Sequence, residues 1–83
     1  MHYVYILKSE RKTSTFYVGK TNDLRNRLNE HNHGESRNSD MNGPWKLHAY
    51  FAFESATVAN RFESYLKTGS GREFSRRHFE SLI

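Results

Sequence analysis

Apolar residues crowd first into His2 to Lys8 (His-Tyr-Val-Tyr-Ile-Leu-Lys), where aromatic and β-branched side chains predict a strand. The run is nearly continuous, which implies burial on both faces and the centre of a sheet. Ser9 to Ser14 is polar and fits a hairpin loop; Thr15 to Gly19 reads as a second strand, antiparallel to the first. Gly19 serves a tight exit or a close backbone approach, and the chain turns through Lys20 and Thr21. Thr21 or Asn22 then caps a helix, with Asp23 in its first turn. Leu24 and Leu28 form its buried ridge, and Arg27 and His31, also four apart, share a neighbouring face. Gly34 is the stop signal, and Glu35 to Pro44 is an exposed polar loop.

Trp45 to Phe53 reads as the third strand, with Leu47, Ala49, Phe51 and Phe53 alternating with His48, Tyr50 and Ala52. Ser55 caps a second helix that carries Val58, Phe62, Tyr65 and Leu66 at helical spacing and ends at Gly69. Ala59, Glu63 and Lys67 line its adjacent face. Thr68 to Arg72 reads as a flexible basic turn, and Glu73 to Leu82 as a last helix with Phe74, His78, Phe79 and Leu82 inward. The pattern predicts an α+β fold, a small three-stranded antiparallel sheet flanked by three helices. Residues 1–83 read as a single domain without repeat or linker.

Composition narrows the classes. Eighty-three residues allow one domain with a modest core, which six Phe, five Tyr and one Trp can fill. No stretch approaches the ~20 apolar residues of a membrane span, and no export leader is visible. The absence of cysteine excludes disulfides and thiolate metal sites, and it fits a reducing cytoplasm. The net charge of +4 is uneven. Lys67, Arg72, Arg76 and Arg77 are offset only by Glu73, and Lys8, Arg11, Lys12, Lys20, Arg25 and Arg27 add to the basic side. That distribution fits either ordinary solubility or a polyanion partner such as a phosphate backbone.

Candidate chemistry concentrates between Phe16 and His31. Tyr17, Lys20, Arg27 and His31 offer a phenol, an ammonium, a guanidinium and an imidazole, a set suited to a phosphate. Taken alone, each has a plainer role: core aromatic, solvated cation or helix-end charge. Glu63 reads either as an i,i+4 partner of Lys67 or as the single carboxylate that anchors a divalent cation. To reach the other groups, its helix must fold back beside the first. His31 and His33 diverge on a helix and make no zinc set, and Gly69 to Arg72 lacks the spacing of a nucleotide-binding loop. With Arg76 and Arg77, that turn reads as a grip on a nucleic-acid backbone.

The tripeptides Tyr3-Val4-Tyr5 and Tyr17-Val18-Gly19, followed by Arg27-x-x-x-His31 and Ala59-x-x-x-Glu63-x-x-x-Lys67, resemble the GIY-YIG nuclease superfamily. The likeness extends over essentially the whole chain. It is greatest to small stand-alone members related to the nuclease domain of the bacterial repair excinuclease. The resemblance implies a metal-dependent endonuclease that hydrolyses DNA phosphodiester bonds, with structure-specific cutting and a link to repair or recombination. It implies that Tyr17, with Tyr5 beside it, assists the attacking water, and that Arg27 stabilises phosphoryl charge with support from His31 and Lys20. Glu63 would hold one Mg2+ or Mn2+, and Lys67, Arg72, Arg76 and Arg77 would contact nucleic acid. DNA is the expected partner ahead of RNA, with specificity supplied by a protein partner and the chain a monomer or weak dimer. Several members carry an asparagine well beyond the glutamate, where this chain has Ser70 and Ser75. That departure motivates the rival expectation, a non-catalytic module that binds nucleic acid or docks on a partner.

Overall fold

Alternation along the first strand decides the layering, because successive side chains leave opposite faces of a sheet. In the computed structural model, which describes residues 1–32 and 43–80, Val4 and Ile6 face one layer while Tyr5 and Leu7 face the other. All four are buried. Their strand, β1 (His2–Ser9), lies between β2 (Phe16–Thr21) and β3 (Trp45–Phe53) and runs antiparallel to both. Helix α1 (Leu24–Asn32) covers the Tyr5 face, where Leu24 and Leu28 pack with Tyr17, Leu47 and Trp45. Helices α2 (Ala56–Leu66) and α3 (Gly69–Ser75) cover the other face, and α3 runs on into a π-helical turn, Arg76–Glu80. The expected three-stranded α+β architecture is present, with β1 at its centre.

Several local expectations are corrected. Lys20 and Thr21 do not turn; they extend β2, paired with Val4 and Tyr3. In β3 the register slips between Ile6 and Leu7, since Ile6 pairs with Ala49 and Leu7 with Leu47, leaving His48 as the extra residue of a bulge. The bulge switches faces, so Trp45 and Leu47 join the α1 layer while Ala49, Phe51 and Phe53 join the α2 layer. Helix α2 buries Ala59 and Leu66 with Phe62 beside them, whereas Val58 and Tyr65 are exposed. The two helices do not lie side by side. They sit on opposite faces of the sheet.

The basic turn expected at Thr68 to Arg72 is the first turn of α3. Thr68 Oγ1 accepts from Gly71 N at 3.1 Å and donates to the Tyr65 carbonyl at 2.6 Å, so one hydroxyl caps α3 and ties it to α2. Phe74 and Phe79 both pack on the core, five residues apart, a spacing that the wider π winding brings to one side. His78 is exposed rather than inward. Gly34, most of the Glu35 to Pro44 loop and Leu82 lie outside the described residues. Among the described residues no helix is long and apolar enough to cross a membrane.

Gly71 marks where the α2–α3 corner is tightest. A Cβ there would stand 1.8 Å from the Tyr65 carbonyl oxygen and 2.6 Å from Leu66 Cα, and backbone cannot swing aside. At Gly69 a Cβ would meet nothing. Gly71→Ala is therefore expected to cost at least ~2 kcal/mol. Gly69→Ala should be neutral or stabilising by up to ~1 kcal/mol. Urea unfolding midpoints measure both, and equal effects would contradict the packing described.

Candidate active site

Tyr5 and Gly19 are direct cross-strand partners on β1 and β2. A Cβ on Gly19 would lie 2.3 Å from the Tyr5 hydroxyl oxygen and 2.5 Å from Cζ, so the ring occupies the space a side chain would need. Laid across the glycine, Tyr5 reaches the last turn of α1, where its hydroxyl and His31 Nε2 are 3.0 Å apart in a buried hydrogen bond. His31 is only 2 % exposed and so is no solvated helix-end charge. Tyr17 closes the group, its ring centroid 4.7 Å from His31 and 6.4 Å from Tyr5. Asn32 fixes the helix end that carries His31. Its amide donates to the Trp45 carbonyl at 2.9 Å and accepts from Trp45 N at 2.6 Å.

The charged groups approach from both faces. Arg27, one turn before His31, is half-exposed, and its Nη1 lies 3.4 Å from Glu30 Oε1. On the other face Lys20 donates from β2 to Asn60 Oδ1 on α2, which ties the edge strand to that helix. One turn on, Glu63 is half-buried, and its Oε2 lies 3.1 Å from Lys67 Nζ. Ala59, Glu63 and Lys67 thus run from core to margin to solvent, because each four-residue step advances around the helix. The site wraps around the β2 edge of the sheet.

The Tyr5 phenol registers this convergence. Burial pushes its pKa well above the ordinary tyrosine value, and the neighbouring Tyr17, Glu63 and Glu30 push the same way, while Arg27 alone opposes them. Groups on α1, β2 and α2 therefore act on one hydroxyl. Tyr5 stays protonated and is suited to donate or accept a hydrogen bond, not to act as a base.

Among the described residues no three His, Cys, Asp or Glu side chains cluster as a closed metal site. A single half-buried carboxylate fits Mg2+ or Mn2+, which retain much of their water and take ligands from phosphate. Lys67, Arg72 and Arg76 line one open groove of about 740 Å3 beside β2, which Tyr17 also borders. Arg77 is exposed and does not line it. Asn60, Asn32 and Glu30 escaped the sequence reading. A neutral amide carries no periodic signal, and only the i,i+3 spacing of Arg27 and Glu30 marked one of the three.

The two tripeptides that suggested a family lie side by side on β1 and β2, with Tyr5 opposite Gly19 and Leu7 opposite Tyr17. The family model of the GIY-YIG catalytic domain matches residues 1–77. The chain belongs to the GIY-YIG family. It is 37% identical to UPF0213 protein BH0048 of Halalkalibacterium halodurans over 83 residues, covering 99% of this chain and 81% of that protein. It is 40% identical to UPF0213 protein CPE1444 of Clostridium perfringens over 68 residues, covering 81% of this chain and 71% of that protein. The solution NMR structure of UPF0213 protein BH0048 from Bacillus halodurans superposes with a TM-score of 0.54 at 36% identity, covering 92% of this chain and 80% of that one. As a GIY-YIG domain the chain has a nuclease-type fold, and the family implies DNA binding.

Alkaline stability tests the Tyr5 environment. The unfolded chain ionises Tyr5 near 10.0, while the folded chain holds that proton to higher pH. The folded state thus binds more protons above that value, so this contribution is full below about pH 10 and is lost as pH rises. Tyr5→Phe should cost ~1 kcal/mol at neutral pH, through the lost His31 bond, yet lose stability less steeply than wild type above pH ~10. Parallel urea-midpoint curves for the two proteins would contradict the assignment.

Proposed function

We propose that this chain is a divalent-metal-dependent endonuclease that hydrolyses DNA phosphodiester bonds, with residues 1–83 acting as one nuclease-like domain. The observation that carries the reading is the convergence at the β2 edge of the Tyr5–His31–Tyr17 group, Arg27, Lys20 and Glu63. Hydrolysis adds water to phosphorus, breaks a P–O bond and builds negative charge on the phosphoryl oxygens. Arg27 and Lys20 neutralise that charge once the phosphate replaces their present partners Glu30 and Asn60. Tyr17, half-buried against His31, holds the attacking water and takes its proton as the phenol's own leaves to solvent. Tyr5 keeps its proton and positions His31.

Glu63 is the residue to hold Mg2+ or Mn2+, and a bound ion would polarise the phosphate and make water more acidic there. Repair or recombination of structured DNA is the setting this reading favours. Specificity comes from DNA shape or from a protein partner, because few side chains are placed for base readout.

A second reading, a binding module, draws on the ion pairs. Glu63 already pairs with Lys67 and Arg27 with Glu30, so the two groups most needed for catalysis have neighbours that moderate them. Purified protein incubated with plasmid, nicked and branched DNA in Mg2+ or Mn2+ separates the readings. Cleavage is expected, and Glu63→Ala and Arg27→Ala should each lower it by at least about a hundredfold while DNA binding in chelator persists. Intact DNA with a salt-sensitive gel shift would favour the binder, and undiminished cutting by Glu63→Ala would refute the metal assignment. The same assay with RNA decides between the two nucleic acids.

A further inference from the structure

A second open cleft, about 570 Å3, lies beside the β1–β2 hairpin and is lined by Lys8, Arg11 and Lys12. Ser14, Phe16 and Arg76 line both this cleft and the groove described above, so the two are continuous. Six cations therefore border one path, with Lys8, Arg11 and Lys12 at the hairpin end, Arg76 at the junction, and Arg72 and Lys67 toward the site. Glu10 is the only acid lining either part. Glu73 sits at the margin, bonded to Arg76 at 2.6 Å and 3.1 Å.

The path is built rather than scattered. Ser9, itself buried, accepts from the backbone N–H of Arg11 and Lys12 at 3.2 Å and 2.9 Å, and its own N–H donates to the Thr15 carbonyl. These bonds shape the hairpin that holds the basic side chains. At the other end Tyr17 borders the path, and Lys67 pairs with Glu63. The path thus begins at the candidate active site and leaves along the hairpin.

Its dimensions choose the ligand. Clefts of about 570 and 740 Å3 are the size that encloses a small molecule, so each takes a short piece of one backbone and not a whole duplex. Closely spaced Lys and Arg beside a half-buried Phe16 suit a chain of phosphates with unstacked bases. We infer that this path is a track for an unpaired DNA strand, and that the preferred substrate carries a single-stranded segment next to the scissile phosphate. The inference rests on the DNA-endonuclease reading for the nature of the nucleic acid. The track itself does not depend on cleavage.

The test is fluorescence anisotropy in chelator, with a labelled DNA hairpin carrying an unpaired tail and the same hairpin cut blunt. Wild type should bind the tailed hairpin more tightly. Lys8→Gln/Lys12→Gln and Arg72→Gln/Arg76→Gln should each weaken that binding about tenfold, and each should flatten the log–log salt dependence by about 1.4 for two lost single-strand contacts. Arg25→Gln/Arg61→Gln, which removes the same charge outside the path, should do neither. Glu63→Ala should bind at least as tightly as wild type.

Equal affinity for tailed and blunt hairpins, or groove variants that match the control pair, would overturn the track. Displacement of the tailed hairpin by polyglutamate of equal charge would also overturn it, showing a generic basic surface. Tighter binding of an RNA tail with the same variant losses would overturn the choice of DNA. Failure of the endonuclease reading looks different: no protein cuts, while the tail preference and variant losses stand. The reverse pattern, cutting with none of those losses, defeats the track alone.

Discussion

Tyr5 lies where it does only because Gly19 has no side chain. The ring fills the space above the glycine and the hydroxyl crosses to His31, so a single absent Cβ couples the central strand to the end of α1. Much else depends on this contact. It sets the depth of His31, draws Tyr17 into the same aromatic group, and buries a phenol strongly enough to keep it protonated. Asn32 reinforces it from the other side by clamping the helix end to the start of β3.

The second constraint is that the helices occupy opposite faces of the sheet, so no helix–helix contact assembles the site. Assembly happens around the edge strand instead. Lys20 leaves β2 toward Asn60 on α2, Tyr17 and Gly19 leave it toward α1, and Glu63 stands one turn beyond Asn60. A strand alternates its side chains by necessity, and here that alternation delivers cationic and aromatic groups to two sides of one edge. The ion pairs that occupy Arg27 and Glu63 are surface pairs of modest strength, typically worth about 0–1 kcal/mol, and a phosphate or a divalent cation can displace them.

The layering was legible in the sequence because β1 is apolar at every inner position, and only a central strand tolerates that. The family tripeptides were legible for the same local reason, since each is part of a strand. Other features depend on partners distant in the chain. The bulge at His48 changes which residues of β3 face which layer, and nothing in the alternation Leu47, Ala49, Phe51 announces it. Thr68 looked like part of a flexible turn because its capping of Gly71 and its bond to Tyr65 appear only once α2 has ended. Glu63 was found by motif, but its place at the margin between Ala59 and Lys67 follows from helical advance. Asn60 was missed because its role exists only when β2 and α2 meet.

The central claim is that groups from α1, β2 and α2 form one site that accepts a divalent cation at Glu63. Paramagnetic broadening tests it without reference to activity. As Mn2+ is titrated into isotope-labelled protein, amide signals near Lys20, Asn60 and Glu63 should broaden first, and Glu63→Gln should abolish the effect. Broadening centred on residues 69–77, or a pattern unchanged by Glu63→Gln, would contradict the account.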